Sequence, residues 1–241
     1  MSWRFGSVVC LVAGFVVSGC WYGQSAAELD GRRRNDEIRN LVQDSARSMI
    51  QIVASRNSQR YGPVMVRSVG VAVAPNLALV PAHSLRKAQQ LYANTGQLND
   101  EFEWQPTDGF PIEVVAASES CDVALVQPVS TGQGSEQFRF ERPISLSVRE
   151  RFENNEMLIF ISGQGRYSRT RVIADPPEAL KRMGSGELTV VQQRVRASDR
   201  GGILVEPNGV FAGLLLGRGV RATYQNFSWF ISIDDAMDCL R

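Results

Sequence analysis

Read along the chain, hydrophobic and polar positions fall into three regimes. Phe5 to Val17 is largely apolar, preceded by Arg4 and closed by Ser18-Gly19-Cys20. Residues 21–35 are small, polar or charged and include Arg32-Arg33-Arg34, which reads as a solvated tether. From Asp36 to about Arg47, Ile38, Leu41 and Val42 fall at helical spacing and predict a short amphipathic helix. After Met49 the pattern becomes strand-like. The predicted strands are 49–54, 65–73, 77–81, 112–118, 122–127, 144–148, 157–162, 170–174, 188–195, 203–206, 210–216 and 228–233. Most are rich in Val, Ile, Leu and Phe, with Gly, Pro, Asn or Asp between them. Pro207-Asn208-Gly209 between two apolar runs predicts a tight hairpin, and Asp234–Leu240 a closing helix with Asp234 as its N-cap.

Short strands with one helix at each end make the chain all-β, as a barrel or a sandwich. Its 241 residues, 44% of them hydrophobic, are enough to bury a substantial core. A linker at about 128–143, containing Gly132, Gly134 and Pro143, splits the strands into halves of similar size with no evident sequence repeat. Gly163-Gln164-Gly165 and Gly184-Ser185-Gly186 read as turns. Neither opens a helix after a strand, and no Lys-Ser/Thr follows, so no phosphate loop is expected.

The first regime is an address. A positive charge, an apolar stretch too short to span a bilayer and terminal small residues describe a secretory signal. Val17-Ser18-Gly19-Cys20 further resembles the lipobox of bacterial lipoproteins, in which cleavage precedes the cysteine and lipid is attached to it. The resemblance implies a signal at 1–19, a tether at 20–37 and a domain at 38–241. That domain is then lipid-anchored at Cys20, outside the cytoplasm in a bacterial cell envelope, on the periplasmic face. A plain signal peptide with Cys20 incidental is the alternative.

Lys and Arg number 26 against 25 Asp and Glu, a balance that leaves no field for nucleic acid. The lone histidine, His83, excludes sites built on two, so no metal centre is expected, and no motif calls for a cofactor. The four cysteines form no CxxC pair. Cys10 leaves with the signal and Cys20 carries lipid, so Cys121 and Cys239 remain, as a disulfide or as two buried thiols.

Three segments carry candidate chemistry. Val69 to His83 reads as two strands joined by Pro75-Asn76 and ending in Ala82-His83. The second is Cys121-Asp122-Val123-Ala124-Leu125-Val126, and the third Ser198-Asp199-Arg200-Gly201-Gly202-Ile203-Leu204-Val205 before the Asn208-Gly209 hairpin. In this order they resemble the histidine, aspartate and nucleophile segments of trypsin-like serine proteases, above all the bacterial HtrA-type branch. Asn226 to Ile233 before the last helix resembles the end of that domain. The resemblance covers about 38–240. It implies two six-stranded antiparallel β-barrels, the first at about 49–127 and the second at about 144–233, closed by a helix at 234–240. It also implies that this helix packs behind the first barrel, where a Cys121–Cys239 disulfide would pin it.

In that mechanism a serine attacks only once an imidazole takes its proton, a buried carboxylate orients the imidazole, and loop N–H groups stabilise the oxyanion. His83 and Asp122 match the first two partners, and Ser198, Asp199, Gly201 and Gly202 the oxyanion loop. The nucleophile position is Arg200. Sliding Ser198 into it would move Gly201-Gly202 out of register. Ser84 and Ser120 adjoin His83 and Asp122 without a reason to face the imidazole. A guanidinium at position 200 would oppose imidazolium formation or compete for Asp122, capping the cleft. Ile203 replaces the family's usual proline, and Arg218 and Arg221 fall on the substrate rim. No peptide-binding PDZ module is expected after Arg241.

The expected function is that of a lipid-anchored protease homologue without activity. It would bind a protein or peptide ligand, such as a partner protease, or regulate one. The alternatives are an active endopeptidase using another serine such as Ser198, and a structural envelope lipoprotein.

Overall fold

The computed structural model describes residues 26–58, 62–129, 139–140, 142–146, 152–176, 188–196, 199, 201–218 and 225–241. The signal and Cys20, the Gly184-Ser185-Gly186 turn, Ser198, Arg200 and Arg221 lie outside them. The chain divides into two compact units, Met1–Arg39 and Asn40–Arg241, and every strand belongs to the second. No helix among the described residues is long and apolar enough to cross a membrane.

Six strands close the first barrel: β1 (Met49–Ser58), β2 (Gly62–Ala74), β3 (Leu77–Pro81), β4 (Gln90–Leu98), β5 (Trp104–Ser118) and β6 (Val123–Pro128). The second comprises β7 (Met157–Ser162), β8 (Tyr167–Ile173), β9 (Thr189–Val191), β10 (Gly202–Val205), β11 (Phe211–Arg218) and β12 (Ser228–Ile231). Both are antiparallel and share one circuit, β1-β2-β3-β6-β5-β4 and β7-β8-β9-β12-β11-β10. The two halves thus repeat in topology although their sequences show no repeat. Helices α1 (Ala26–Ala46) and α2 (Ile233–Leu240) stand at the ends.

Period-two alternation builds each interior. Ile50 and Ile52 of β1, Ala78 and Val80 of β3, and Ala124 and Val126 of β6 fill the first barrel. Leu158 and Phe160 of β7, Leu204 of β10 and Phe230 of β12 fill the second, where the Phe160 and Phe230 rings meet edge-on at 6.1 Å. β10 packs on β2 and β11 on β3. Because β10 is buried on both faces, it reads as an unbroken apolar run rather than an alternating one.

Four local readings need correction. The sequence pattern misses β4, in which Leu91 and Ala93 join the barrel core while Leu98 is buried against the β7–β8 turn. The strand's other positions are polar, glycine or an exposed tyrosine, so two inward apolar residues are too few to show an alternation. Of segment 144–148, predicted as a strand, the described residues 144–146 form only an isolated bridge, Leu146 to Phe211, and 147–148 lie outside the described residues. After Pro143 it is a strap between barrels: the Ile144 N–H donates to the Ala72 carbonyl at 2.9 Å, and the Ser145 carbonyl accepts from Phe211 N–H at 2.8 Å. Upstream, Phe140 of the linker plugs the first barrel's core.

The first helix begins at Ala26 rather than Asp36, so 26–35 are helical instead of tether, in keeping with the Ala, Glu, Leu and Arg there. Its last turns bury Val42, Ser45 and Ala46. At the other end the cap of α2 is Ser232, two residues before Asp234, and its hydroxyl accepts from Asp235 N–H. Gly163-Gln164-Gly165 is the β7–β8 turn, and Asn208-Gly209 closes the β10–β11 hairpin with Gly209 at φ +86°.

Candidate active site

The site grows out of the pairing of β3 with β6. Pro81 lies opposite Val123, so the residues just after β3 and just before β6 are neighbours. Ala82–Ser84 forms a single 3₁₀ turn, and Ala82 N–H donates to the Asp122 carbonyl at 2.9 Å. Asp122 adopts a left-handed conformation, φ +55°, which aspartate tolerates better than most residues. Its carboxylate turns back onto the histidine. Oδ1 accepts the His83 backbone N–H at 2.7 Å, and Oδ2 lies 2.6 Å from His83 Nδ1. With Oδ2 accepting a hydrogen bond from Nδ1–H, Nε2 is the ring nitrogen left to act as a base. Among the described residues Nε2 has no partner, and His83 is half exposed.

Arg56 holds this turn from behind. From β1 its Nη2 donates to the His83 carbonyl at 2.9 Å and the Ser84 carbonyl at 2.6 Å. Nothing in the sequence marks Arg56, because its partners are backbone carbonyls 27 and 28 positions away. Truncating Arg56 to alanine removes a charged donor from both carbonyls. It is expected to lower stability by about 2 kcal/mol in a urea titration.

The neighbouring serines do not face the imidazole. The Ser84 hydroxyl is buried and donates to the Pro81 carbonyl at 2.6 Å. The Ser120 hydroxyl pairs with that of Ser118 at 3.0 Å.

The third segment lies at the seam of the two barrels. Gly201 sits at φ +94° with Val69 of β2 so close that a Cβ would stand 3.3 Å from it, so only glycine suits the position. Gly202 opens β10 opposite Ser162, where a Cβ would meet the Ile161 carbonyl at 2.5 Å. Asp199, next to position 200, is buried. Its carboxylate accepts Arg196 N–H at 2.5 Å and pairs with Arg166 from the β7–β8 turn. Arg166, like Arg56, carries no sequence signal. Ser198 and Arg200 themselves are not described.

Cys121, adjacent to Asp122, is bonded to Cys239 of α2, with Cα atoms 6.3 Å apart. The bond ties the end of the chain to the turn that carries Asp122. Among the described residues no group of three or more His, Cys, Asp or Glu side chains converges as a metal site. The described residues thus supply an imidazole oriented by a carboxylate at the β3–β6 end of the first barrel and, at the seam of the barrels, a glycine pair that opens β10.

No protein-family model and no curated protein matches the sequence. Solved structures do match. The active form of the Rv3671c protease from M. tuberculosis superposes with a TM-score of 0.61 at 15% identity, covering 83% of this chain and 82% of that one. An inactive form of Rv3671c matches at TM-score 0.56 and 15% identity, over 83% of this chain and 91% of that one. The inactive form of a serine-to-alanine mutant matches at 0.56 and 14% identity, over 83% and 88%. At such identities the likeness is one of fold. The chain has the double-β-barrel fold of trypsin-like serine proteases.

Proposed function

We propose that this chain is a lipid-anchored, extracytoplasmic protease homologue without peptidase activity, which binds a protein or peptide, such as a partner protease, and regulates it. One observation carries the reading. His83 and Asp122 stand in base-and-orienter geometry, yet the residue between Asp199 and Gly201 is an arginine. Arginine has no nucleophilic atom at physiological pH, and removing a triad serine costs on the order of a million-fold in turnover. The lipobox-like Val17-Ser18-Gly19-Cys20 supports the anchor, and Cys20→Ser is expected to move the chain from the membrane to the soluble fraction.

The test has two arms. The purified chain is expected to leave casein and a peptide panel intact. Envelope extract passed over the immobilised chain is expected to yield a retained protein that a substitution in the cleft releases. Cleavage abolished by His83→Ala would overturn the inactive reading. Failure to retain anything would overturn the binding role.

A further inference from the structure

A recess of about 320 Å³ on the first barrel is lined by Arg47, Thr95, Gly96, Gln97, Thr107 and Arg142. Four parts of the chain meet there: the residue after α1, the end of the linker, the second half of β4 and the start of β5. Its volume falls at the lower end of the range of about 300–1,000 Å³ typical of small-ligand sites. It shares no residue with His83, Asp122 or the Gly201-Gly202 loop.

Two cations converge on this recess around one carboxylate. Asp44, in the last turn of α1, has its Oδ1 3.6 Å from Arg47 Nη1 and 3.9 Å from Arg142 Nη1. Both separations exceed hydrogen-bond length, so among the described residues neither guanidinium gives an N–H to a protein acceptor. Two guanidinium forks are therefore open to an outside anion, and their planar geometry suits the paired oxygens of a carboxylate. Among the described side chains of this cluster two positive charges stand against one negative. That balance matches a singly charged carboxylate better than a phosphate.

The hydroxyl pair on β4 and β5 selects further. At the register shift between Asn94 and Gly96, Thr95 meets Thr107, Oγ1 to Oγ1 at 2.6 Å. Thr107 Oγ1 also donates to the Thr95 carbonyl at 2.8 Å. A hydroxyl has one proton to give. Thr107 directs its own to the carbonyl, so the Thr95 proton goes to Thr107 Oγ1. The pair keeps lone pairs but no free proton. It accepts from a ligand N–H and has nothing to donate to a ligand oxygen.

We infer that this recess binds a carboxylate with an amide N–H beside it, the group found at the C-terminus of a peptide and at an acidic residue within one. Arg47 and Arg142 take the carboxylate, and the Thr95–Thr107 pair accepts the N–H. The site serves an active peptidase as well as an inactive homologue.

Two-dimensional amide NMR on the purified full chain follows binding residue by residue. N-acetylglycine is expected to shift the amides of 95–97 and 107 saturably. N-acetylglycinamide, which lacks the carboxylate, and acetate, which lacks the N–H, are each expected to bind about ten-fold more weakly, and inorganic phosphate no better than acetate. Arg47→Gln and Arg142→Gln are each expected to weaken N-acetylglycine about ten-fold while amides outside the recess keep their positions. Thr95→Val/Thr107→Val is expected to abolish the preference for N-acetylglycine over acetate and to leave acetate binding intact. N-acetylated tetraalanine with a free C-terminus, and an amidated counterpart carrying one glutamate, separate the two sources: binding of either supports the site, and the tighter one names the source. Shifts that saturate with no carboxylate, acetate or phosphate binding as tightly as N-acetylglycine, or an affinity unmoved by both arginine variants would overturn the inference.

Discussion

Arg200→Ser is expected to convert the chain into a hydrolase of activated peptide esters. The oriented base is present, since Asp122 Oδ2 lies 2.6 Å from His83 Nδ1 and Oδ1 binds the same residue's N–H. So is the glycine conformation of the adjoining loop, with Gly201 at φ +94°. A triad serine contributes on the order of a million-fold in turnover, so even a partly aligned replacement is expected to raise the rate by about a thousand-fold. Steady-state hydrolysis by Arg200→Ser, compared with Arg200→Ser/His83→Ala, checks this. A gain that needs His83 is the expected outcome. A gain indifferent to His83 would mean that the imidazole does not reach position 200.

The largest stability effect is expected at the Cys121–Cys239 bond, which closes a separation of 118 residues. A cross-link over a loop of that order removes several kcal/mol of chain entropy from the unfolded state, and losing such bonds typically costs about 2–5 kcal/mol. Here the native side suffers as well. Helix α2 has only eight residues and buries Ile233 and Ala236, so it has little else to hold it. Cys121→Ala/Cys239→Ala is expected to lower the melting temperature by about 5–15 °C, given about 2–4 °C per kcal/mol for a domain of this size. Scanning calorimetry measures it, and reductant is expected to reproduce the shift in the unmodified chain. Because Asp122 follows Cys121, exchange at residues 82–84 is expected to rise in the same variant.

What the sequence discloses follows from how far apart the interacting residues stand. Strands such as 77–81 and 157–162 are legible because they are nearly unbroken apolar runs, buried on both faces. β4 is not, because only Leu91 and Ala93 mark its inward row within a largely polar stretch. Segment 144–148 has a strand's composition, but the bonds of Ile144 and Ser145 are split between two barrels instead of forming one ladder. Ser232 is concealed as a cap because Asp234, an equally good cap by type, lies within the first turn.

The candidate site divides the same way. His83 and Asp122 stand out because each adjoins a recognisable strand, and β3–β6 pairing brings their turns together. Arg56 and Arg166 are invisible by comparison. Each is one arginine among many, and each acts across 27 or more positions on a carbonyl or a carboxylate that no spacing rule links to it. Supporting contacts of this kind emerge only once the chain has closed its barrels.

The central claim is that the oriented imidazole has no serine to activate. A fluorophosphonate probe tests it most directly, because it labels only a serine made nucleophilic by its surroundings. The unmodified chain is expected to remain unlabelled, while Arg200→Ser takes up probe at residue 200 in a His83-dependent manner. Stoichiometric labelling of any serine in the unmodified chain, Ser198 included, that disappears in His83→Ala would contradict the claim.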